Sequence, residues 1–146
     1  MCADLDVKGW GWTAGEHQVP LTEYIRNLNE IVDILEATGA QLLWATTTPA
    51  PHPHTRKQGK PPNPDWPTNP IQYQTTDVII YNEAATGVMR SRGVPINDLY
   101  GFALLRLHEI QHPQDVHFSD AGSAVLGVRV AAVIKDMLKQ REDSKL

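Results

Sequence analysis

Cysteine is almost missing: among 146 residues only Cys2 carries a thiol. A single thiol excludes an internal disulfide and any cysteine-based zinc framework, and it suits a reducing compartment. Long apolar runs are missing as well. The richest stretches, 41–45 and 124–134, fall short of the roughly 20 residues that a bilayer-crossing helix needs. Nor does Met1–Gly11 read as a secretory leader, because Asp4 and Asp6 stand where an apolar core belongs and no basic start precedes them. An excess of positive charge is also lacking. Thirteen Lys and Arg face 17 Asp and Glu, a formal net charge of -4, which argues against a nucleic-acid surface; the cluster Arg56, Lys57 and Lys60 is too short to reverse that. A cytoplasmic protein is expected, with neither a membrane nor a nucleic acid as partner, and no cofactor or metal is implied.

What is present is enough for one domain over 1–146, since a chain of this length buries on the order of two thirds of its unfolded surface. Residues 1–19, with Gly9, Gly11, Gly15, Trp10 and Trp12, have no period and read as a loop. From Pro20, the positions Tyr24, Ile25, Leu28, Ile31, Val32 and Leu35 follow helical spacing, and Gly39 stands where a C-terminal cap is expected. Gln41–Thr47 then reads as a strand buried on both faces, with Trp44 in the core. Eight of the eleven prolines lie between Pro49 and Pro70, so 49–73 is a long loop. A helix over Thr76–Arg92, closed by Gly93, is followed by a strand over Val94–Asp98. A helix over Leu99–Glu109 comes next, burying Phe102, Leu105 and Leu107. The last helix starts at the cap Ser119 and runs through Met137 into a charged tail, Lys139–Lys145. Helical crossovers between the two strands favour parallel pairing, which makes the fold class α/β.

The chemistry concentrates in QHPQDVHFSDAG, 111–122, which sets an Asp and a His in a loop opening onto a helix. An imidazole held there serves as a general base if a carboxylate or a carbonyl fixes its tautomer. Asp115-Val116-His117-Phe118, followed by Gly122 and an apolar helix, resembles the final block of the SGNH, or GDSL-type, hydrolases. The helix ending in TGA, the strand QLLWATTTP, the pair Tyr81 and Asn82, and VPINDLY are similar to the second half of an esterase-like branch of that superfamily, over about Val19 to Leu138. The resemblance implies SGNH-like, flavodoxin-like α/β/α layers with parallel strands, N-terminally truncated. It also implies acyl transfer on a small carboxylic or acetyl ester, with His117 as general base and Asp115 as its orienter. The family spacing is Asp, two residues, His; here Val116 alone intervenes and Gln114 stands at the acidic position, so a backbone carbonyl is the alternative orienter.

A GDS-type block is absent, as are the Gly and Asn blocks of the oxyanion hole. The hydroxyls Thr46, Thr47, Thr48, Thr55, Thr75, Ser91, Ser119 and Ser123 lack a nucleophile-elbow pattern, and Ser119 reads better as a cap. Two rival readings follow. In one, the chain is an inactive half-domain that works by homo-oligomerisation or through a partner completing the sheet, because two parallel strands leave an open edge. In the other it binds metal through His52 and His54 with His112 or His17, or carbohydrate through Trp10, Trp12 and Trp66. Asn97 and Asp98 follow the second strand at the carboxyl edge, where Asp98 is expected to cap the next helix and Cys2 to be a terminal thiol.

Overall fold

The computed structural model describes His17 and residues 19–50, 75–113 and 116–143. Its elements are α1 (Leu21–Glu36), β1 (Trp44–Ala45), α2 (Thr75–Ser91), β2 (Ile96–Asn97), α3 (Leu99–Leu104), α4 (Leu107–Ile110) and α5 (Asp120–Asp143). The strands pair in parallel, with Trp44 opposite Ile96 and Ala45 opposite Asn97. The α/β class read from the sequence therefore holds, with α2 as the crossover that parallel pairing requires.

The core lies between α1, α2 and one face of the sheet. Leu28 and Val32 of α1 meet Ala85, Val88 and Met89 of α2 and Val94, and Leu42, Trp44 and Ile96 close the cluster from the sheet. Both helices end on a left-handed glycine, Gly39 at φ 70° and Gly93 at φ 68°, a conformation that costs glycine little and other residues more. Arg92 fastens the end of α2 to the last turn of α1, donating to Asp33 at 2.5 Å and to Glu36 at 2.6 Å. Those two hydrogen bonds, Asp33 foremost, raise its guanidinium pKa further above its ordinary value.

Several expectations are corrected. The strand expected over Gln41–Thr47 keeps ladder geometry only at Trp44–Ala45, and it is not buried on both faces: Trp44 is half-buried and Ala45 exposed. Only β2 lies beside it among the described residues, and α5 stands off the other face. The apolar stripe of α1 is narrower than its spacing suggests, since Ile31 and Leu35 are exposed.

The helix expected over Leu99–Glu109 breaks into α3 and α4. In an unbroken helix the Phe102 carbonyl would accept the Arg106 N–H. Instead the Arg106 side chain takes that carbonyl at 3.0 Å while its guanidinium stacks 4.3 Å above the Phe102 ring, and the Arg106 N–H turns to Ala103. Leu105 is thrown outward by this break, 77% exposed, and Ala103 and Ile110 take the buried places. At the other end of the chain, α5 does not stop at Met137 but continues through the charged segment to Asp143, for Lys139, Gln140, Arg141 and Glu142 are all good helix formers. Among the described residues, no helix is long and apolar enough to cross a membrane.

Two phenols join the start of α1 to α2. The Tyr81 hydroxyl donates to the Val19 carbonyl at 2.6 Å, and the Tyr24 and Tyr81 rings meet edge to face at 5.0 Å. Burial, then the neighbouring phenol, raises the Tyr24 pKa; burial, then the Asp77 charge, raises that of Tyr81. Above the unfolded-chain value of about 10 the native state thus retains protons that the unfolded chain has released, so stability is full below that pH and falls as pH rises through the higher folded values. Absorbance titration near 295 nm should show ionisation in the folded protein lagging that in urea, and Tyr24→Phe should shorten the lag. Superimposable curves would refute this assignment.

Candidate functional site

The carboxyl end of the parallel sheet gathers the polar side chains of the fold. Thr46 leaves β1 with its side chain buried, donating from Oγ1 to Asp98 Oδ1 at 3.2 Å and accepting the Tyr100 N–H at 2.8 Å. The same Asp98 oxygen accepts the Gly101 N–H at 2.8 Å, so Asp98 caps α3 as the sequence suggests. One residue further on, Asn82 of α2 grips the backbone of Thr47 from both sides. Its Oδ1 accepts the Thr47 N–H and its Nδ2 donates to the Thr47 carbonyl, each at 2.8 Å.

The His117 loop is brought to this end by Gln111. Buried at the end of α4, Gln111 donates from Nε2 to the Pro49 carbonyl at 3.1 Å and to the Val116 carbonyl at 3.4 Å. One side chain therefore holds both the segment leaving β1 and the loop before α5. Around it the loop is closed by an antiparallel bridge between Gln111 and Phe118, by the His112 N–H donating to the His117 carbonyl at 3.0 Å, and by the Ser119 N–H donating to the Ile110 carbonyl at 2.9 Å. His117 itself is exposed at the rim of this closed loop. Asp115 and Gln114 lie outside the described residues.

Ser119 behaves as a cap: its Oγ accepts the Gly122 N–H at 3.0 Å and donates to the Ile110 carbonyl at 3.3 Å. Ser91 donates to the Val88 carbonyl at the end of α2. With Thr46 engaged by Asp98, three of the hydroxyls weighed as nucleophiles have structural partners instead. Thr55 lies outside the described residues, and so do Cys2, His52, His54, Trp10, Trp12 and Trp66. Of the other imidazoles considered as ligands, His17 lies 3.7 Å from Asp77 and edge-on to Tyr81, whereas His112 is exposed beside the His117 loop. No group of three His, Cys, Asp or Glu side chains able to hold a metal occurs among the described residues.

Sequence reasoning missed two residues. Gln111 stands inside the motif with no role in the sequence reading, although a buried amide next to a helix end is a natural loop fastener. Asn97, at the carboxyl edge beside the cap Asp98, is the second. It is 0% exposed, and neither Oδ1 nor Nδ2 finds a hydrogen-bond partner among the described residues. The available signal was periodicity: in Val94-Pro95-Ile96-Asn97, Val94 and Ile96 belong to the core face, so Asn97 must lie on the other. Comparison with protein-family models, with curated proteins and with solved structures gives no match to this chain.

Proposed function

We propose that this chain carries the general-base portion of an SGNH-type ester hydrolase, built on flavodoxin-like α/β/α layers, and that His117 is the base. The observation that carries the reading is the Gln111 tether. It sets the His117 loop beside the exit of β1, at the carboxyl end of a parallel sheet, where open α/β folds place their sites. In the reaction, a hydroxyl nucleophile supplied from outside the described residues attacks the ester carbonyl and its proton passes to the His117 imidazole. The tetrahedral intermediate then expels the alcohol, which leaves with that proton, and water repeats the sequence on the acyl group. Asp115 or a backbone carbonyl orients the imidazole. Small carboxylic or acetyl esters are the substrate class.

The purified chain should hydrolyse p-nitrophenyl acetate faster than an equal concentration of N-acetylhistidine methylamide, which measures the background of a bare imidazole. His117→Ala should remove the excess, and His112→Ala should leave it. Full retention of the rate by His117→Ala, or no excess in the parent, overturns the catalytic reading.

A second reading, association with another copy or with a strand-bearing partner, is favoured by a separate observation. Val128 and Leu138 of α5 are 71% and 50% exposed, and the outer edge of β1 has no paired strand among the described residues. Exposed apolar side chains and an open strand edge are each features of interaction surfaces. In this reading the sheet is completed from outside, with or without turnover of an ester.

A further inference from the structure

Three features converge on the face of the sheet turned toward α5. Side chains alternate along β1, so Leu42 and Trp44 join the core while Leu43 and Ala45 look the other way. With Asn97, Val130, Ile134 and Met137 they line a cavity of about 440 Å3. Asn97, directly opposite Ala45 in the ladder, is fully buried at this cavity, with both amide atoms unpartnered among the described residues. The third feature is the backbone. The N–H groups of Trp44 and Thr46 donate to Pro95 and Asn97, which turns the N–H and C=O of Leu43 and Ala45 to the outer edge.

Both the edge and the Asn97 amide require a donor and an acceptor together, and the cavity between them requires apolar bulk. An extended peptide meets all three needs at once: its backbone matches the edge, and its alternate side chains reach the cavity. A hydrocarbon chain would fill the cavity and leave the edge and the amide unmet. Ala45 completes the geometry, because on that rung of the ladder a small methyl stands beside Asn97.

We propose that the outer edge of β1 and the cavity beneath α5 form one docking surface for an extended polypeptide segment. The segment adds to the sheet at Leu43 and Ala45. Over Ala45 it sends a side chain that both donates and accepts, a carboxamide or a hydroxyl, to Asn97. Apolar residues stand two positions before and after that side chain, against Leu43 and the α5 stripe. The inference rests on the association reading in taking the sheet to be completed from another segment; the surface and the chemistry of the occupant are its own content.

The test is titration of the 15N-labelled chain with a blocked nonapeptide, acetyl-KTVTNTVTK-amide, and with the same peptide carrying valine at its centre. The asparagine peptide should shift the Leu43 and Ala45 amides and the Asn97 side-chain NH2, and slow hydrogen exchange at the two amides at least tenfold. Asn97→Leu should weaken the asparagine peptide at least tenfold and reverse the preference in favour of the valine peptide, a reversal that a misfolded variant cannot give. Peptide binding with shifts elsewhere and none at these three residues overturns the surface while leaving association standing. Protection of Leu43 and Ala45 that grows with the concentration of the chain alone identifies a second copy as occupant and overturns the peptide. Octanoate that shifts the cavity resonances and displaces the peptide assigns the cavity to an acyl chain. Absence of binding by either peptide overturns the proposal.

Discussion

Replacing Gly122 by alanine should destabilise the fold by about 2–4 kcal/mol, although alanine is the better helix former by roughly 1 kcal/mol. The sign reverses because α4 lies directly on this glycine. A Cβ there would collide with the carbonyl, C and Cα of Ile110, which are backbone atoms that cannot swing aside. The Ile110 carbonyl also accepts from the Ser119 N–H and the Ser119 hydroxyl, so moving it breaks the entry to α5 and the cap on Gly122 together. Its neighbour Gln111 holds the His117 loop, so that loop should loosen as well. Urea denaturation supplies the measurement, with Gly87→Ala and Gly127→Ala as internal references. Both of those glycines have open space where a Cβ would go, and alanine should stabilise each by up to about 1 kcal/mol. Gly122→Ala as stable as the parent would show that α4 and α5 are not in this contact.

Asn97→Leu should move stability the other way, by about 1–3 kcal/mol in favour of the fold. That is the cost of burying an amide whose donor and acceptor are both unmet, a cost that a leucine of similar shape does not carry. Polar-to-apolar changes at fully buried positions normally destabilise because they orphan a partner; here there is no partner among the described residues to orphan. A rise in the urea midpoint at unchanged slope is the expected result. A loss of stability would mean that the amide is satisfied in solution, and the docking surface would lose its polar anchor. If stability rises in this way, position 97 holds a residue that lowers the stability of the isolated chain, which is the pattern expected where a side chain serves binding.

Much of this fold is legible in the residues because several signals agree at the same positions. The period of Tyr24, Ile25, Leu28 and Val32 marks one face of α1, and Gly39 and Gly93 end helices where only a left-handed residue fits. Asp98 and Ser119 cap the helices they precede. The order of elements and the parallel pairing follow from those signals. The break between α3 and α4 is not legible, since it depends on which acceptor the Arg106 side chain chooses, and no periodicity encodes that. The burial expected for Ile31, Leu35 and Leu105 fails for a related reason. A hydrophobic residue at the right phase says which way a side chain points, and only the neighbouring element decides whether anything covers it. At the candidate site, His117 and its loop are readable as a motif, whereas Gln111 and Asn97 are amides whose roles emerge only when two distant segments meet.

The grip of Asn82 on Thr47 limits how far the sheet can grow. Along β1 and the residues flanking it, Leu43 and Ala45 are open at the outer edge among the described residues, but Thr47 has both its N–H and its carbonyl occupied by one carboxamide. The side chain plays the part of a single residue of an added strand and stops the ladder there. A newcomer can engage only a short stretch before it meets this plug, too little for the long, register-free pairing that drives edge-to-edge aggregation. An exposed strand edge is thereby made selective: open to a short, well-matched segment and closed to indefinite extension.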